Sequence, residues 1–199
     1  MVLENSYEID RVLAALGDQL ATLGPERFDL AVCGGSALNA LGLLRRTTKD
    51  VDVLAILHHD REGKLRPKSA EPLPALLLQA AERVGRDFGL STDWLNSGPT
   101  LALTQGMPKS WLERLTVRLY GDALAVHFLS RYDQIHFKLY AAVDQSGKHY
   151  QDLLALHPTP IELEAAARWT LTQDVSEPFK DQLKKVLIAM EFPDVARRI

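Results

Sequence analysis

Asp50 and Asp52 flank Val51 at the start of one apolar run, and a Gly34-Gly35-Ser36 turn closes an earlier one. Alternate side chains of a strand share a face, so the two carboxylates point the same way and repel each other. A divalent cation relieves that repulsion. Mg2+ (or Mn2+) suits the pair, because Mg2+ takes one or two carboxylates and completes its shell with phosphate oxygens and water. Gly34 and Gly35 have no Cβ to keep a phosphate from the backbone, and a helix starting there points unpaired N–H groups and the positive end of its dipole at an anion. Ser36 can cap that helix or donate its hydroxyl to the ligand. Carboxylates for a metal beside amides for phosphates predict a nucleotide site.

The elements that must position these residues follow from hydropathy. The apolar run Leu30–Cys33 predicts a strand, the Ala- and Leu-rich segment at about 36–44 a short helix, and Val51–Leu57, apolar except for Asp52, a central strand covered on both faces. Cys33, the one cysteine of the chain, excludes an internal disulfide and reads as a packing residue. A hairpin, Leu115–Tyr120 and Ala123–Leu129 about Gly121-Asp122, adds two antiparallel strands, the turn being read as two residues with glycine first.

The ordered set Gly34-Gly35-Ser36 and Arg46-Thr47-Thr48-Lys49-Asp50-Val51-Asp52 resembles the signature of the nucleotidyltransferase fold typified by DNA polymerase beta. It is most similar to that of small bacterial members related to abortive-infection and toxin–antitoxin nucleotidyltransferases. Trp94-Leu95-Asn96 also resembles that group, as do Lys138 in one helix and Lys148 and Asp152 in the next, although a family aspartate falls on His149 here. The resemblance spans residues 28–156. It implies Mg2+- or Mn2+-dependent transfer of an NMP from an NTP to a hydroxyl or an RNA 3′ end, the acceptor being RNA, a protein or a small molecule, as a toxin–antitoxin or phage-defence component with a partner antitoxin. It implies that Asp50 and Asp52 hold the metal, that Gly34, Gly35 and Ser36 cradle phosphates, that Arg46 and Lys138 supply positive charge, and that Asp152 orients Lys138 or the nucleotide. It further implies a carboxylate on a later strand beside the aspartate strand. That strand carries His127 here, making His127 a candidate metal ligand, with Asp93 and Asp122 as loop substitutes. The alternative is a catalytically degraded relative that binds nucleotide or a partner protein, and a plain interaction module is a third reading.

The remaining pattern predicts α/β (α+β) architecture: a mixed sheet with flanking helices over residues 1–130 and a helical C-terminal part, residues 131–199, packed on that core. Ile9, Val12, Leu13, Leu16, Leu20 and Leu23 recur at helical spacing over residues 5–23, and Leu76, Leu77, Ala80, Ala81, Val84 and Phe88 do so over Pro74–Phe88. Residues 58–73, with adjacent His58 and His59, read as a long polar loop. Past Tyr132 the pattern is helical, with a break at Asp144-Gln145-Ser146-Gly147, and Lys138 stands out because an ammonium within an apolar helix needs an anionic partner. Two more helices follow, the first capped by Thr159-Pro160-x-Glu162 and the second after Pro178. The formal net charge of −3 leaves no overall basic field, so any nucleic-acid contact needs a local patch. No apolar run approaches the ~20 residues that span a bilayer, and the start Met1-Val2-Leu3-Glu4-Asn5 does not read as a signal peptide. The expectation is a cytoplasmic protein without membrane contact.

Overall fold

The computed structural model describes residues 3–145 and 147–199, which form two compact units, Met1–Ser130 and Arg131–Ile199. The readings made on Met1-Val2 and on Ser146 lie outside the described residues. The fold is α+β with a mixed sheet.

In the first unit α1 (Ser6–Leu23) starts at Asn5, whose side chain accepts from Glu8 N. Strand β1 (Phe28–Cys33) leads straight into α2 (Gly34–Ala40), so this helix begins at the glycines and ends sooner than its apolar composition suggests. Strand β2 (Val51–His59) turns back on β3 (Leu65–Ser69). After α3 (Ala75–Phe88) come the two-residue strand β4 (Leu95–Asn96), the short helix α4 (Leu101–Gln105) and the hairpin β5 (Thr116–Tyr120) and β6 (Leu124–Phe128). The sheet order is β3-β2-β1-β6-β5, with β4 pairing the start of β2. Strand β1 is antiparallel to β2 and parallel to β6. One face carries Leu30, Val32, Val53, Val126 and Phe128, buried against Ile9, Leu13 and Leu16 of α1 and Leu77 and Val84 of α3. Trp94 belongs to this core, and its indole N–H donates to Ala81 O at 2.9 Å.

Three expectations need correction here. Residues 58–73 are not a loop: Asp60 Oδ1 accepts from Glu62 N and Lys64 N, both at 2.9 Å, closing a turn that folds β3 onto β2. The polar Leu65-Arg66-Pro67-Lys68-Ser69 hides its strand character because it is an edge strand, where proline is tolerated. The turn between β5 and β6 holds three residues, since Tyr120 pairs with Leu124. Past Thr159 there are three helices, not two.

In the second unit α5 (Arg131–Gln145) packs against α6 (Lys148–Ala155), α7 (Pro160–Gln173) and α8 (Glu177–Ala189), and α9 (Pro193–Arg198) follows. Ile135, Leu139, Ala142 and Val143 of α5 are buried, and Phe137 stacks on Trp169 of α7 at 5.5 Å. Thr159 and Glu162 close a reciprocal cap on α7. Among the described residues no helix is long and apolar enough to cross a membrane.

Candidate active site

An antiparallel pair brings the end of one strand beside the start of the next, and here that register matters chemically. Cys33, the last residue of β1, pairs with Asp52, the second residue of β2. The glycines that follow Cys33 and the aspartates that open β2 therefore meet at one sheet end. Along the pair, Ala31 faces Ala55 but Val32 faces Val53, so Leu54 is an extra residue, a bulge that sets Asp52 on the side of Cys33 and Ala31.

The glycines are dictated by side chains. Gly34 has φ +72°, and a Cβ there would overlap the Asp52 carboxylate. A Cβ on Gly35 would overlap the Arg46 guanidinium and come within 3.0 Å of Thr48 Oγ1. Gly34, Gly35, Arg46, Thr48 and Asp52 thus close on one another. Ser36 does not join them: it is fully buried and its hydroxyl donates back to Cys33 O at 3.4 Å, while the helix takes Cys33 as its cap without a side-chain bond. The expected ligand or capping role for Ser36 is corrected on that ground, because the helix starts two residues earlier and turns Ser36 inward.

Three residues with no expected site role position the rest. Asn39, buried on α2, donates to Arg46 O at 2.5 Å and accepts from Arg46 N at 3.1 Å, fixing the segment that carries Arg46. Thr48 exchanges backbone bonds with Leu3 at 2.8 and 2.9 Å, and its hydroxyl donates to Asp50 Oδ1 at 2.9 Å. Asn96 lies opposite Asp52 in the parallel β2–β4 pairing and donates to Asp52 Oδ1 at 3.1 Å. Thr48 and Asn96 stood inside motifs that carried the resemblance, so a signal existed; Asn39 carried none. Asp50 and Asp52 are both half-buried, and each accepts a hydrogen bond from a neutral side chain.

His127 is corrected as well. Its strand, β6, pairs with β1 and β5, so β1 stands between it and the aspartate strand. The imidazole Nε2 lies 2.9 Å from Asp29 Oδ1, and Asp29 also accepts from Arg27 at 3.1 Å. Asp29 sits four residues, about 13 Å of strand, back from the Cys33–Asp52 pair. His127 belongs to that cluster around Asp29.

Lys138 and Asp152 lie in the second unit, where the ammonium is 2.8 Å from Asp152 Oδ2 and both residues are buried, joining α5 to α6.

A divalent cation fits the first-unit residues in one form only. Among the described residues no three His, Cys, Asp or Glu side chains converge as a metal set. Two carboxylates on one strand suit a Mg2+ that draws its other ligands from phosphate and water. Set against protein-family models, curated proteins and solved structures, the chain matches none of them.

Proposed function

We propose that the first unit has the nucleotidyltransferase fold and moves an NMP from an NTP to a hydroxyl acceptor. The β1–β2 register carries this reading, since it brings Gly34, Gly35, Arg46, Asp50 and Asp52 together at one sheet end. An acceptor oxygen attacks the α-phosphorus, the bond from that phosphorus to the bridging oxygen breaks, pyrophosphate leaves, and the acceptor proton passes to solvent. When bound, Mg2+ or Mn2+ would neutralise charge on the phosphate oxygens. Asp50 and Asp52 would hold the cation. Arg46, over Gly35, would supply positive charge to the phosphates, its reach fixed by Asn39. Thr48 and Asn96 would keep the two carboxylates in place.

The test is incubation with each α-labelled NTP, Mg2+ or Mn2+, total RNA and the protein itself, followed by a search for transferred label. Label that depends on both aspartates supports the reading. A second reading, a nucleotide-binding relative without catalysis, is favoured by the amide of Asn96 at the side of Asp52, a place where a further carboxylate would otherwise fit. It predicts nucleotide binding without pyrophosphate release.

A further inference from the structure

We propose, building on the nucleotide-site reading above, that Asn96 is a positioning residue which makes the divalent cation arrive with the nucleotide instead of residing in the free protein. Asn96 has a fixed orientation. Its Oδ1 accepts from Gly98 N at 3.0 Å, so the amide nitrogen is the end that faces Asp52, and it donates to Asp52 Oδ1 at 3.1 Å. The backbone pairing of Asn96 with Asp52 holds this geometry in place. An amide N–H cannot ligate a cation, so the side chain nearest Asp52 on β4 orients that carboxylate while adding no negative charge and no ligand. Asp50 is treated similarly, its Oδ1 accepting from the Thr48 hydroxyl at 2.9 Å.

The protein therefore offers two carboxylates, each with an oxygen already engaged by a neutral donor, and among the described residues no third acid, histidine or cysteine joins them. Mg2+ and Mn2+ take about six oxygens, and affinity rises with the number of charged ligands. Two carboxylates leave most of the shell to water, which holds the ion weakly, and a polyphosphate chain supplies the missing charged oxygens. Replacing the amide nitrogen of Asn96 by oxygen reverses this. The Gly98 bond is kept, and a second carboxylate oxygen is held against Asp52 Oδ1, where a cation, or a proton at lower pH, relieves the contact.

The experiment measures protein-retained Mn2+ by equilibrium dialysis, with the same tripolyphosphate concentration on both sides of the membrane, and melting temperature on the same samples; inorganic tripolyphosphate is a probe that carries the phosphates and no base. The wild-type protein should retain little Mn2+ alone and about one ion with tripolyphosphate present. Asn96→Asp should bind Mn2+ without tripolyphosphate at least about tenfold more tightly than wild type. Its melting temperature should fall in EDTA and recover with Mn2+, and a chain that unfolds in EDTA should refold on adding Mn2+. Asn96→Ala should weaken the tripolyphosphate-dependent retention about tenfold while leaving the melting temperature nearly unchanged. Tight Mn2+ binding by the wild type alone overturns the inference, as does an Asn96→Asp protein whose affinity and Mn2+ response equal those of the wild type. Asp52→Asn separates the two levels. If it leaves tripolyphosphate-dependent retention intact, the nucleotide-site reading itself fails; if it abolishes retention while the Asn96 variants behave as wild type, only the role of Asn96 fails.

Discussion

Gly34 and Gly35 are adjacent, yet their substitution should have different consequences. At Gly34 the left-handed backbone and the Asp52 carboxylate both oppose a Cβ, so Gly34→Ala should cost about 1–2 kcal/mol from the backbone alone and displace Asp52. At Gly35 the backbone is unstrained, and a Cβ meets the end of the long Arg46 side chain and comes within 3.0 Å of Thr48 Oγ1. Gly35→Ala should therefore cost about 1 kcal/mol, less than Gly34→Ala, while displacing Arg46 and weakening nucleotide binding. Urea unfolding together with a nucleotide titration checks both. His127 gives the opposite contrast: His127→Asp sets a carboxylate against Asp29 and should lower stability by about 1–2 kcal/mol, with no gain in Mg2+-dependent transfer. A gain in transfer would return His127 to the aspartate site. The meeting of Gly34 with Asp52 was legible in the sequence because it depends on a turn at the end of one strand and on the start of the next. The partners of Ser36 and His127 were not, because those depend on where a helix starts and on which strand lies between two others.

At the scale of elements, α1 is tied to β5 by Asp10, which accepts from Arg118 at 3.0 Å and from the Tyr120 hydroxyl at 2.5 Å. Burial, then the bond to the Asp10 carboxylate, pushes the Tyr120 phenol up against the opposing pull of Arg118. An unfolded tyrosine titrates near pH 10, whereas the folded phenol keeps its proton to higher pH. This stabilisation is complete below about pH 10 and is lost as the pH rises beyond it. Tyr120→Phe should flatten the alkaline fall of melting temperature, and Asp10→Ala should cost about 1 kcal/mol at neutral pH; thermal melts from pH 8 to 11 test both. An equal alkaline slope in the phenylalanine variant would remove Tyr120 from this account. The elements themselves were largely legible, since α1, α3 and α5 repeat apolar residues at helical spacing and bury those residues. Strand β3 was not, because a polar edge strand carries no apolar alternation, and the Leu54 bulge was hidden inside a continuous apolar run.

Across the whole molecule, each unit has its own core, and the second holds a buried ion pair as well. Lys138→Met deletes one side of this buried pair and should cost about 3 kcal/mol, and Lys138→Met with Asp152→Leu should recover part of it. Denaturant unfolding of the single and double variants measures this, and a neutral single variant would show that the pair is not structural. The first unit carries the functional claim, which depends on Asp50 and Asp52 while their neighbours Thr48 and Asn96 keep the local geometry. Asparagine retains an acceptor oxygen for each donor, so Asp50→Asn/Asp52→Asn should fold with stability within about 1 kcal/mol of wild type. The most direct measurement compares that variant with wild type for transfer of label from each α-labelled NTP, with Mg2+ or Mn2+ and total RNA. Label transferred by the wild type and lost in the folded variant is the predicted result; equal transfer by both proteins, or transfer by neither with any NTP and either metal, would contradict a nucleotidyltransferase site at these aspartates.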